Sequence, residues 1–364
     1  MDQIRNSKRM ENSPKLVVTV TGIRPDFIRM SKVFKALDDD PEINHILIHT
    51  GQHYDNLLSG VFFDELEIRE PDYNLSIGES GCPHYEQLGR VSTRLIELFK
   101  KEQIYPDVVM FLGDSNSVGA AFPLKKEGYK IAHIEAGMRS GDKRMLEEIN
   151  RTVCDHCSDI HFVYHEDYKQ NLINEGLPAE NIFVVGNTIV EPLADMWEPT
   201  TPTKDYILMD IHRPENFQHS HRMARIFMFA NGCAEKYNVP VKMVAWGRTL
   251  KALENCNLKG IEVIPLMSYK NFVQAQWNAK FIISDSGTAQ EEPALMHVPV
   301  IVPRDFTERP QSVDNGCSYM LPVDKVELHP LATDWIDGWE GCYSRWLGEG
   351  SAAQEIVTCL KSRL

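Results

Sequence analysis

Two carboxylates follow the predicted carboxyl ends of strands, the part of a parallel sheet where active sites are found. Asp114 comes soon after the apolar run Val108–Leu112, and Glu135 directly follows the run Ile131–Ile134. In doubly wound sheets, ligands bind at the carboxyl ends of the strands. Carboxylates at two successive strand ends are unfavourable for stability unless something binds beside them, so this pair indicates acid or base chemistry.

A second acidic pair stands at the start of a predicted helix over Glu147–Cys157. Glu147 and Glu148 would lie in its first turn, where the helix macrodipole favours acidic residues whatever their function. This pair therefore keeps two interpretations, a structural one at the helix start and a catalytic one with Asp114 and Glu135. The other acidic candidates are Asp26 and Asp142.

A Ser-Gly turn after a predicted strand is a candidate phosphate site. The run Asp285–Glu292 follows the apolar segment Phe281–Ser284 and is predicted to open a helix. Backbone N–H groups and the dipole at a helix N-terminus attract phosphate, and Glu292, about two turns in, could reach a ribose diol. The alternative is a helix cap at Asp285 and Ser286 with solvated glutamates behind it. The candidates of this turn are Ser286, Gly287, Thr288 and Glu292.

Cationic side chains that could hold a diphosphate are spread over the first half of the chain. Each of them alone is more often a solvated surface residue. A histidine, His212, follows the apolar run Tyr206–Ile211, although a lone histidine is more often packed or exposed than catalytic. The arginine candidates are Arg24, Arg29, Arg139, Arg144 and Arg151.

The elements that must position these residues follow an α/β pattern. Short apolar, β-branched runs alternate with longer amphipathic stretches, which predicts βα units and parallel sheets. The strands of the first half are predicted at Leu16–Thr21, His45–His49, Val108–Leu112, Ile131–Ile134, Ile160–Val163 and Ile182–Val185. Those of the second half are predicted at Tyr206–Ile211, Val241–Ala245, Ile261–Ile264, Phe281–Ser284 and Val298–Val302.

Two domains are expected, because 364 residues exceed one typical core. The stretch Trp197–Lys204 holds two prolines and three threonines without an apolar period, so it is predicted to be a linker. Residues 1–15 are expected to form a loose tail. The remaining parts are a first Rossmann-like domain over 16–198, a second over 199–345, and a helix over 346–364 that packs on the first domain.

Composition excludes several classes of protein. The formal charge of -14 argues against a nucleic-acid partner, which would require a clustered Lys/Arg excess. The apolar runs are of strand length, and the polar N-terminus lacks an apolar signal segment, so no membrane span and a cytoplasmic location are expected. The eight cysteines fit reduced thiols. Cys154 and Cys157 form an isolated CxxC within a helical pattern, so no metal site is assigned.

Taken together, these motifs resemble the non-hydrolysing UDP-N-acetylglucosamine 2-epimerases from about Leu16 to about Gly316, with order and spacing matching throughout. The matching segments are Gly22–Asp26, Gly51–His53, Gly113–Asn116, His133–Arg139, Glu147–Arg151, Gly186–Thr188, His212–Asn216, Asp285–Glu292 and Arg304–Pro310. The resemblance implies the GT-B fold, in which two Rossmann-like domains with parallel sheets face each other across a cleft.

The resemblance also implies a reaction. Family members invert C2 of a UDP-2-acetamido sugar without a metal or other cofactor, by eliminating UDP across C1 and C2 and re-adding it to the 2-acetamidoglucal. This route demands an acid and a base near C2 and charge stabilisation at the departing diphosphate. The implied partners are a UDP-2-acetamido sugar, UDP and a second copy of the chain in a homodimer.

Residue roles are carried over by position. Asp114, Glu135 and Glu147 match the acid/base carboxylates of the family, and His212 matches the histidine held near the diphosphate. Which carboxylate is the acid and which is the base stays open. The residues that match the substrate and UDP contacts are Arg24, Arg29, Arg151, Phe272, Ser286, Gly287, Thr288 and Glu292, with Phe272 at the position of a base-stacking aromatic.

Several positions depart from the family pattern. Arg29 stands for the usual lysine, Thr288 for the second glycine of the phosphate turn, and Leu146 for a proline. The segment Ala245–Arg248 replaces a Pro-x-His element. These changes concern the identity of the sugar more than the reaction. Asp55, where a glutamine is expected, favours the absence of an allosteric site.

Four alternatives stay open beside an epimerase of UDP-N-acetylglucosamine itself. A sister enzyme would act on a modified UDP-2-acetamido sugar, such as a 2,6-dideoxy-L-hexose or a uronic acid derivative. A hydrolysing relative would release the free sugar. A GT-B glycosyltransferase would require a separate acceptor, and a non-catalytic nucleotide-binding protein would show no turnover.

Overall fold

The computed structural model covers most of the chain. Gln52, His53 and Asp55, which carry part of the family resemblance and the expectation about allostery, lie outside the described residues, as does most of the N-terminal tail. The described residues are 13–51, 63, 65–79, 81–252 and 258–364.

The chain divides into two compact units. The first consists of the residues up to Pro192 together with Gly348–Leu364, and the second is Leu193–Leu347. Each unit has one parallel sheet covered by helices. The predicted fold class, an α/β chain with two Rossmann-like parallel-sheet domains, is confirmed.

The first unit has seven parallel strands. They are β1 (Lys15–Thr21), β2 (Ile43–His49), β3 (Tyr73–Asn74), β4 (Val108–Leu112), β5 (Ile131–Ile134), β6 (Ile160–Val163) and β7 (Ile182–Val184). The order across the sheet is β3-β2-β1-β4-β5-β6-β7. Every residue of β4 is buried, as expected for a sheet with helices on both faces. The order reverses between β1 and β4, the position at which doubly wound sheets bind ligands.

Helices surround this sheet. They are α1 (Arg24–Asp39), α2 (His84–Lys101), α3 (Ala121–Lys126), α4 (Leu146–Cys157), α5 (Glu166–Asn174) and α6 (Val190–Met196), the last of which contains the division between the units. Short 3₁₀ helices cover Asn116–Ala120 and Ala179–Asn181. The start of α1 is fixed locally, because Pro25 lies in its first turn and the Asp26 carboxylate accepts the backbone N–H groups of Gly22 and Ile23 at 3.1 and 3.2 Å.

The second unit repeats this architecture with six parallel strands. They are β8 (Ile207–Asp210), β9 (Val241–Val244), β10 (Ile261–Ile264), β11 (Ile282–Ser284), β12 (Val300–Val302) and β13 (Ser318–Met320). The order across the sheet is β10-β9-β8-β11-β12-β13, so this sheet reverses between β8 and β11. Large side chains fill the core around it, among them Met209, Phe227, Met243 and Phe281.

The helices of the second unit are α7 (Pro214–Phe217), α8 (Ser220–Tyr237), α9 (Gly247–Ala252), α10 (Tyr269–Asn278), α11 (Glu292–Leu295), α12 (Pro310–Asp314) and α13 (His329–Asp337). Its 3₁₀ helices are Thr288–Gln290, Val326–Leu328 and Arg345–Leu347. The chain then returns to the first unit, where α14 (Ala352–Arg363) packs against α1. None of the described helices is long and apolar enough to cross a membrane.

Candidate active site

The two strand-end carboxylates lie next to each other in the first unit. Their strands β4 and β5 are neighbours, with Leu112 opposite Ile134. Asp114 and Glu135 follow directly on these strand ends, and Glu135 has a left-handed backbone with φ 67°. A left-handed glutamate is uncommon and costs free energy, so it persists where the surroundings enforce it, often at functional sites.

Two arginines from different helices bracket Glu135. Arg151 from α4 lies with Nη2 3.6 Å from Glu135 Oε1 and also donates to the Asp114 carboxylate. Arg29 from α1 lies with Nη1 3.6 Å from Glu135 Oε2 and donates to Asn187 Oδ1 at 3.1 Å. Asn150 donates to the Asp114 backbone carbonyl at 2.9 Å. The structure thus gathers two carboxylates and two guanidinium groups at the carboxyl ends of neighbouring strands. The strand-end positions were predicted for Asp114 and Glu135.

A third carboxylate lies near this pair. The pKa of Asp26 is raised to about 7, mainly by burial and also by the charges of Asp114 and Glu135, against the lowering effect of two backbone hydrogen bonds. Asp26 is 4% exposed and fixes the start of α1 through those same two bonds. It therefore combines a structural role with a proton that titrates near neutrality.

The structure separates the two members of the Glu147/Glu148 pair. Glu148 is buried and accepts hydrogen bonds from the backbone N–H groups of Ser140 at 2.9 Å and Gly141 at 3.1 Å. It therefore stabilises the loop before α4. Glu147 is half-buried in the first turn of the same helix. It remains the catalytic candidate of the pair.

The five arginine candidates also separate. Arg29 and Arg151 lie beside the carboxylates, whereas Arg139 pairs with Asp155 and Glu175. Arg144 is two-thirds exposed and pairs with Asp142, so both residues belong to a surface contact. Arg24 is the first residue of α1 and is half-buried at the β1 strand end.

In the second unit, Asp285 organises the loop after β8. Its carboxylate accepts the backbone N–H groups of His212 at 2.9 Å and Arg213 at 3.1 Å and the side chain of Asn216 at 3.0 Å. The alternative in which Asp285 caps its own helix therefore does not hold. Its carboxylate instead fixes the two residues before α7, because the β8 and β11 strand ends are neighbours in the sheet.

His212 is held by a buried carboxylate. Its Nδ1 lies 3.2 Å from Asp210 Oδ1, and Asp210 also accepts from Trp246 Nε1 at 2.5 Å and Ser284 Oγ at 3.3 Å. Burial works against the charged imidazole, but the Asp210 and Asp285 carboxylates outweigh it and raise the pKa of His212. The side chain is 32% exposed, so the imidazole is accessible at the strand end.

The Ser286–Gly287 turn has less helix behind it than the sequence predicts. A 3₁₀ turn over Thr288–Gln290 follows, and then the four-residue α11 with a proline in its first turn. Glu292 is thus the first residue of α11, and an argument from a long helix dipole does not apply. Ser286 and Thr288 are half-buried.

A buried arginine lies against this turn instead. A methyl group added to Gly287 would lie 2.5 Å from Arg309 Nη1 and 2.9 Å from Glu308 Oε1. Arg309 is itself held by Glu291 at 2.7 Å and Glu308 at 2.5 Å. A glycine is therefore required where the turn meets the guanidinium group.

Glu292 is oriented by helix α10. Its Oε1 accepts from Tyr269 Oη at 2.8 Å and its Oε2 accepts from Gln276 Nε2 at 2.8 Å. A carboxylate has about four acceptor positions, and helix α10 uses two of those of Glu292. Phe272 is half-buried on the same helix, one turn from each of these partners.

Sequence reasoning missed several residues of this arrangement. Asp210, Trp246 and Tyr269 gave no signal, because their roles depend on contacts between segments far apart in the chain. Arg309 stood within the matching segment Arg304–Pro310 but was not singled out. Its position one residue before a helix-opening proline was the available clue. Among the described residues, no group of three His, Cys, Asp or Glu side chains is placed to hold a metal ion.

Comparison with known proteins gives the family. The UDP-N-acetylglucosamine 2-epimerase of Methanocaldococcus jannaschii is 35% identical over 365 residues, covering 94% of this chain and 97% of that protein. A crystal structure of the enzyme from that organism, in complex with UDP-GlcNAc and UDP, superposes with a TM-score of 0.87 at 34% identity, covering 96% and 99% of the two chains.

A relative with another substrate is also similar. The UDP-2,3-diacetamido-2,3-dideoxy-D-glucuronate 2-epimerase of Pseudomonas aeruginosa is 34% identical over 316 residues, covering 84% of this chain and 88% of that protein. The family model described as UDP-N-acetylglucosamine 2-epimerase matches residues 35–361. The chain therefore belongs to the UDP-N-acetylglucosamine 2-epimerase family.

Proposed function

We propose that this chain interconverts UDP-N-acetylglucosamine and UDP-N-acetylmannosamine. The observation that carries the proposal is the pair Asp114 and Glu135 at adjacent strand ends with Arg29 and Arg151 beside it. Inversion at C2 requires a proton to leave one face of the sugar and another to arrive on the opposite face. Two carboxylates at adjacent strand ends meet that requirement.

The proposed reaction has two steps. One carboxylate takes the C2 proton while the bond from C1 to the UDP oxygen breaks with its electron pair, giving 2-acetamidoglucal and UDP. UDP then adds back at C1, and a proton is delivered to C2 from the other face. Arg29 and Arg151 place two positive charges beside Asp114 and Glu135, at the proposed site of proton transfer.

The second unit is assigned to the nucleotide. The Ser286–Gly287 turn offers hydrogen-bond donors to the diphosphate, and Arg309, which is neutralised by Glu291 and Glu308, packs against this turn. His212, charged by its Asp210 partner, supplies a cation. Glu292 is proposed to accept the ribose hydroxyls. The further contacts proposed for UDP are Phe272, stacking on the base, Thr288 and Arg24.

Incubating the purified chain with UDP-N-acetylglucosamine and no acceptor tests the proposal. Proton NMR should show a second set of UDP-sugar signals, those of the C2 epimer, growing to a stable ratio while free sugar stays absent. Accumulation of UDP with free N-acetylmannosamine would indicate the hydrolysing reaction. An unchanged substrate that reacts once an acceptor sugar is added would indicate a glycosyltransferase instead.

A second candidate substrate is a diacetamido uronic acid. The 34% identical Pseudomonas aeruginosa relative acts at C2 of UDP-2,3-diacetamido-2,3-dideoxy-D-glucuronate, so the same chemistry serves a modified sugar within this family. The kcat/KM of the chain for that substrate and for UDP-N-acetylglucosamine, measured under the same conditions, decides between them. A tenfold preference for the uronate would replace the substrate assignment and leave the reaction unchanged.

We also propose that the chain forms a homodimer through α4. Its outer face carries Leu146, Ile149 and Val153, which are 57, 54 and 42% exposed and follow helical spacing. Such a stripe is costly in water, and a second copy would cover it. Light scattering should give twice the chain mass for the wild type and the monomer mass for Ile149→Asp. A matched control is Leu331→Asp, on α13, which should stay dimeric.

A further inference from the structure

A buried histidine and aspartate lie directly behind the carboxylate pair. His133 belongs to β5 and Asp155 to α4, and neither side chain is exposed to solvent. His133 Nδ1 lies 2.6 Å from Asp155 Oδ1. The proposed reaction gives these two residues no role.

Each member of this pair holds one of the two turns that carry the carboxylates. His133 Nε2 donates to the backbone carbonyl of Gly113 at 2.8 Å, and Gly113 immediately precedes Asp114. Asp155 Oδ2 accepts the backbone N–H of Gly137 at 3.1 Å, two residues after Glu135. The two residues therefore form a continuous chain of hydrogen bonds from the turn that carries Asp114 to the turn that carries Glu135.

Both turns depend on such support, because their backbones are unusual. Gly113, Glu135 and Gly137 have φ values of 72, 67 and 76°. The far side of the second turn is also fixed, since Asn171 donates to the Gly137 carbonyl at 2.9 Å and a methyl group on Gly137 would lie 2.3 Å from the Tyr168 carbonyl. The position of Glu135 is thus set from two sides.

The hydrogen bonds also define the charge of His133. Both ring nitrogens face acceptors, a carboxylate and a carbonyl, so both must carry a proton and the ring is an imidazolium. The groups around it are Asp155 and Cys154 from α4, Arg139 from the following loop and His161 from β6. Burial opposes the charge, but Cys154 and Asp155 raise the pKa of His133 well above its usual value.

We propose that His133 and Asp155 are positioning residues that set Asp114 and Glu135 at the separation and orientation required for proton transfer at C2. This inference rests on the proposed function of those two carboxylates. The pair touches no substrate. It acts through the Gly113 and Gly137 backbones, and it places a buried positive charge beside both turns.

Substitutions at His133 separate its two hydrogen bonds. His133→Gln places an amide donor near the Nε2 position and keeps the bond to Gly113, whereas His133→Asn places one near Nδ1 and keeps the bond to Asp155. The matched control is His161→Gln, since His161 lies opposite His133 in the sheet, is equally buried and donates to the Asp155 backbone carbonyl at 2.8 Å.

The expected result is a loss of kcat that follows the bond removed. His133→Asn should lower kcat for C2 epimerisation about 30-fold or more with KM within about threefold, and His133→Gln should recover part of that loss. Both variants remove the buried charge, so the acid limb of the kcat profile should move to higher pH. His161→Gln should leave kcat and the pH profile unchanged. Wild-type kcat and an unshifted profile in His133→Asn would overturn the proposal.

Hydrogen exchange gives a readout that does not depend on turnover. In Asp155→Asn one acceptor oxygen becomes a donor, so the amide of Gly137 should exchange at least tenfold faster than in the wild type while the amides of β1 keep their rates. Unchanged exchange at Gly137 would contradict the positioning role. A wild type that epimerises no UDP-sugar, combined with faster exchange in the variant, would instead refute the proposed function and leave the support of the turn established.

Discussion

Each unit of this chain has an aspartate–histidine pair at its sheet, and the two pairs differ in what they leave available. His133 uses both ring nitrogens on the protein and is fully buried. His212 uses Nδ1 on Asp210, is 32% exposed, and has no other side-chain hydrogen bond among the described residues. His133 can therefore only hold neighbouring protein groups in place, whereas Nε2 of His212 can contact a ligand.

The charged groups at the strand ends of the two units differ as well. The strand ends of the first unit place Asp114 and Glu135 beside two arginines, an arrangement suited to moving protons. Those of the second unit carry His212, whose pKa is raised, and the Gly287 turn, an arrangement suited to an anion. This contrast supports the proposal that the chemistry lies in the first unit and that the nucleotide binds to the second, and the following substitutions test that division.

The largest effect is expected at the carboxylates of the first unit. Asp114→Asn and Glu135→Gln should each lower kcat about a hundredfold or more while UDP affinity stays nearly intact, because an acid or base is lost and the nucleotide contacts are kept. Steady-state rates and calorimetry with UDP measure the two properties separately. Near-normal rates in both variants would remove these residues from the mechanism. Glu147→Gln is expected to behave in the same way if Glu147 is catalytic and not a helix-start residue.

A smaller effect on a different property is expected at Gly287. An alanine there would press its methyl group against Arg309 at 2.5 Å, so the turn or the guanidinium group must shift. UDP affinity should fall about tenfold or more, since charge-assisted contacts are worth roughly 1.5 to 3 kcal/mol. The control is Gly232→Ala in α8, where an added methyl group meets nothing within 4 Å. That variant should bind UDP normally and be slightly more stable.

Glu292 tests whether a buried carboxylate both supports α10 and binds ligand. Glu292→Ala should weaken UDP binding by roughly 1 to 3 kcal/mol and also lower the Tm, because Tyr269 and Gln276 lose their acceptor. Glu292→Gln keeps one acceptor oxygen and should lose affinity with a smaller change in Tm. Arg24→Ala is expected to weaken UDP by a similar amount. Unchanged calorimetric affinity in all three variants would contradict the assignment of the nucleotide site.

The smallest effect concerns pH. The pKa of His212 is raised. The ring is therefore positively charged below the ordinary histidine pKa and loses that charge as the pH rises through the raised pKa. UDP affinity should therefore decline by roughly three- to tenfold as the pH rises through that raised value, because the attraction of a partly exposed cation is lost. Asp210→Asn removes the carboxylate that raises the pKa, so the decline should begin at lower pH. The exposed His219→Asn serves as a control. An identical profile in Asp210→Asn would show that this pair does not set the charge.

The positions of strands could be predicted from the amino-acid sequence more accurately than the contacts between segments. A strand such as Val108–Leu112 agrees residue for residue with the structure, because a buried parallel strand is a continuous apolar run. The edge strands Tyr73–Asn74 and Ser318–Met320 were not predicted, since two or three partly exposed residues give no period.

The candidate site shows the same limit. Asp114 and Glu135 were predictable, since a residue after an apolar run must stand at a strand end. The sequence could not show that Asp285 contacts the loop after β8, because that strand ends more than seventy residues earlier in the chain. His133 was read as part of a strand motif, and its role became visible through its contact with Asp155 on a helix.

The central claim is that C2 loses and regains a proton through Asp114 and Glu135. It is tested most directly by running the reaction in deuterium oxide and observing C2 by proton NMR. The account predicts deuterium at C2 in the product, slower labelling of the remaining substrate pool, and neither signal with Asp114→Asn or Glu135→Gln. Product that retains its original hydrogen at C2, or deuterium exchange at wild-type rate in both variants, would contradict it.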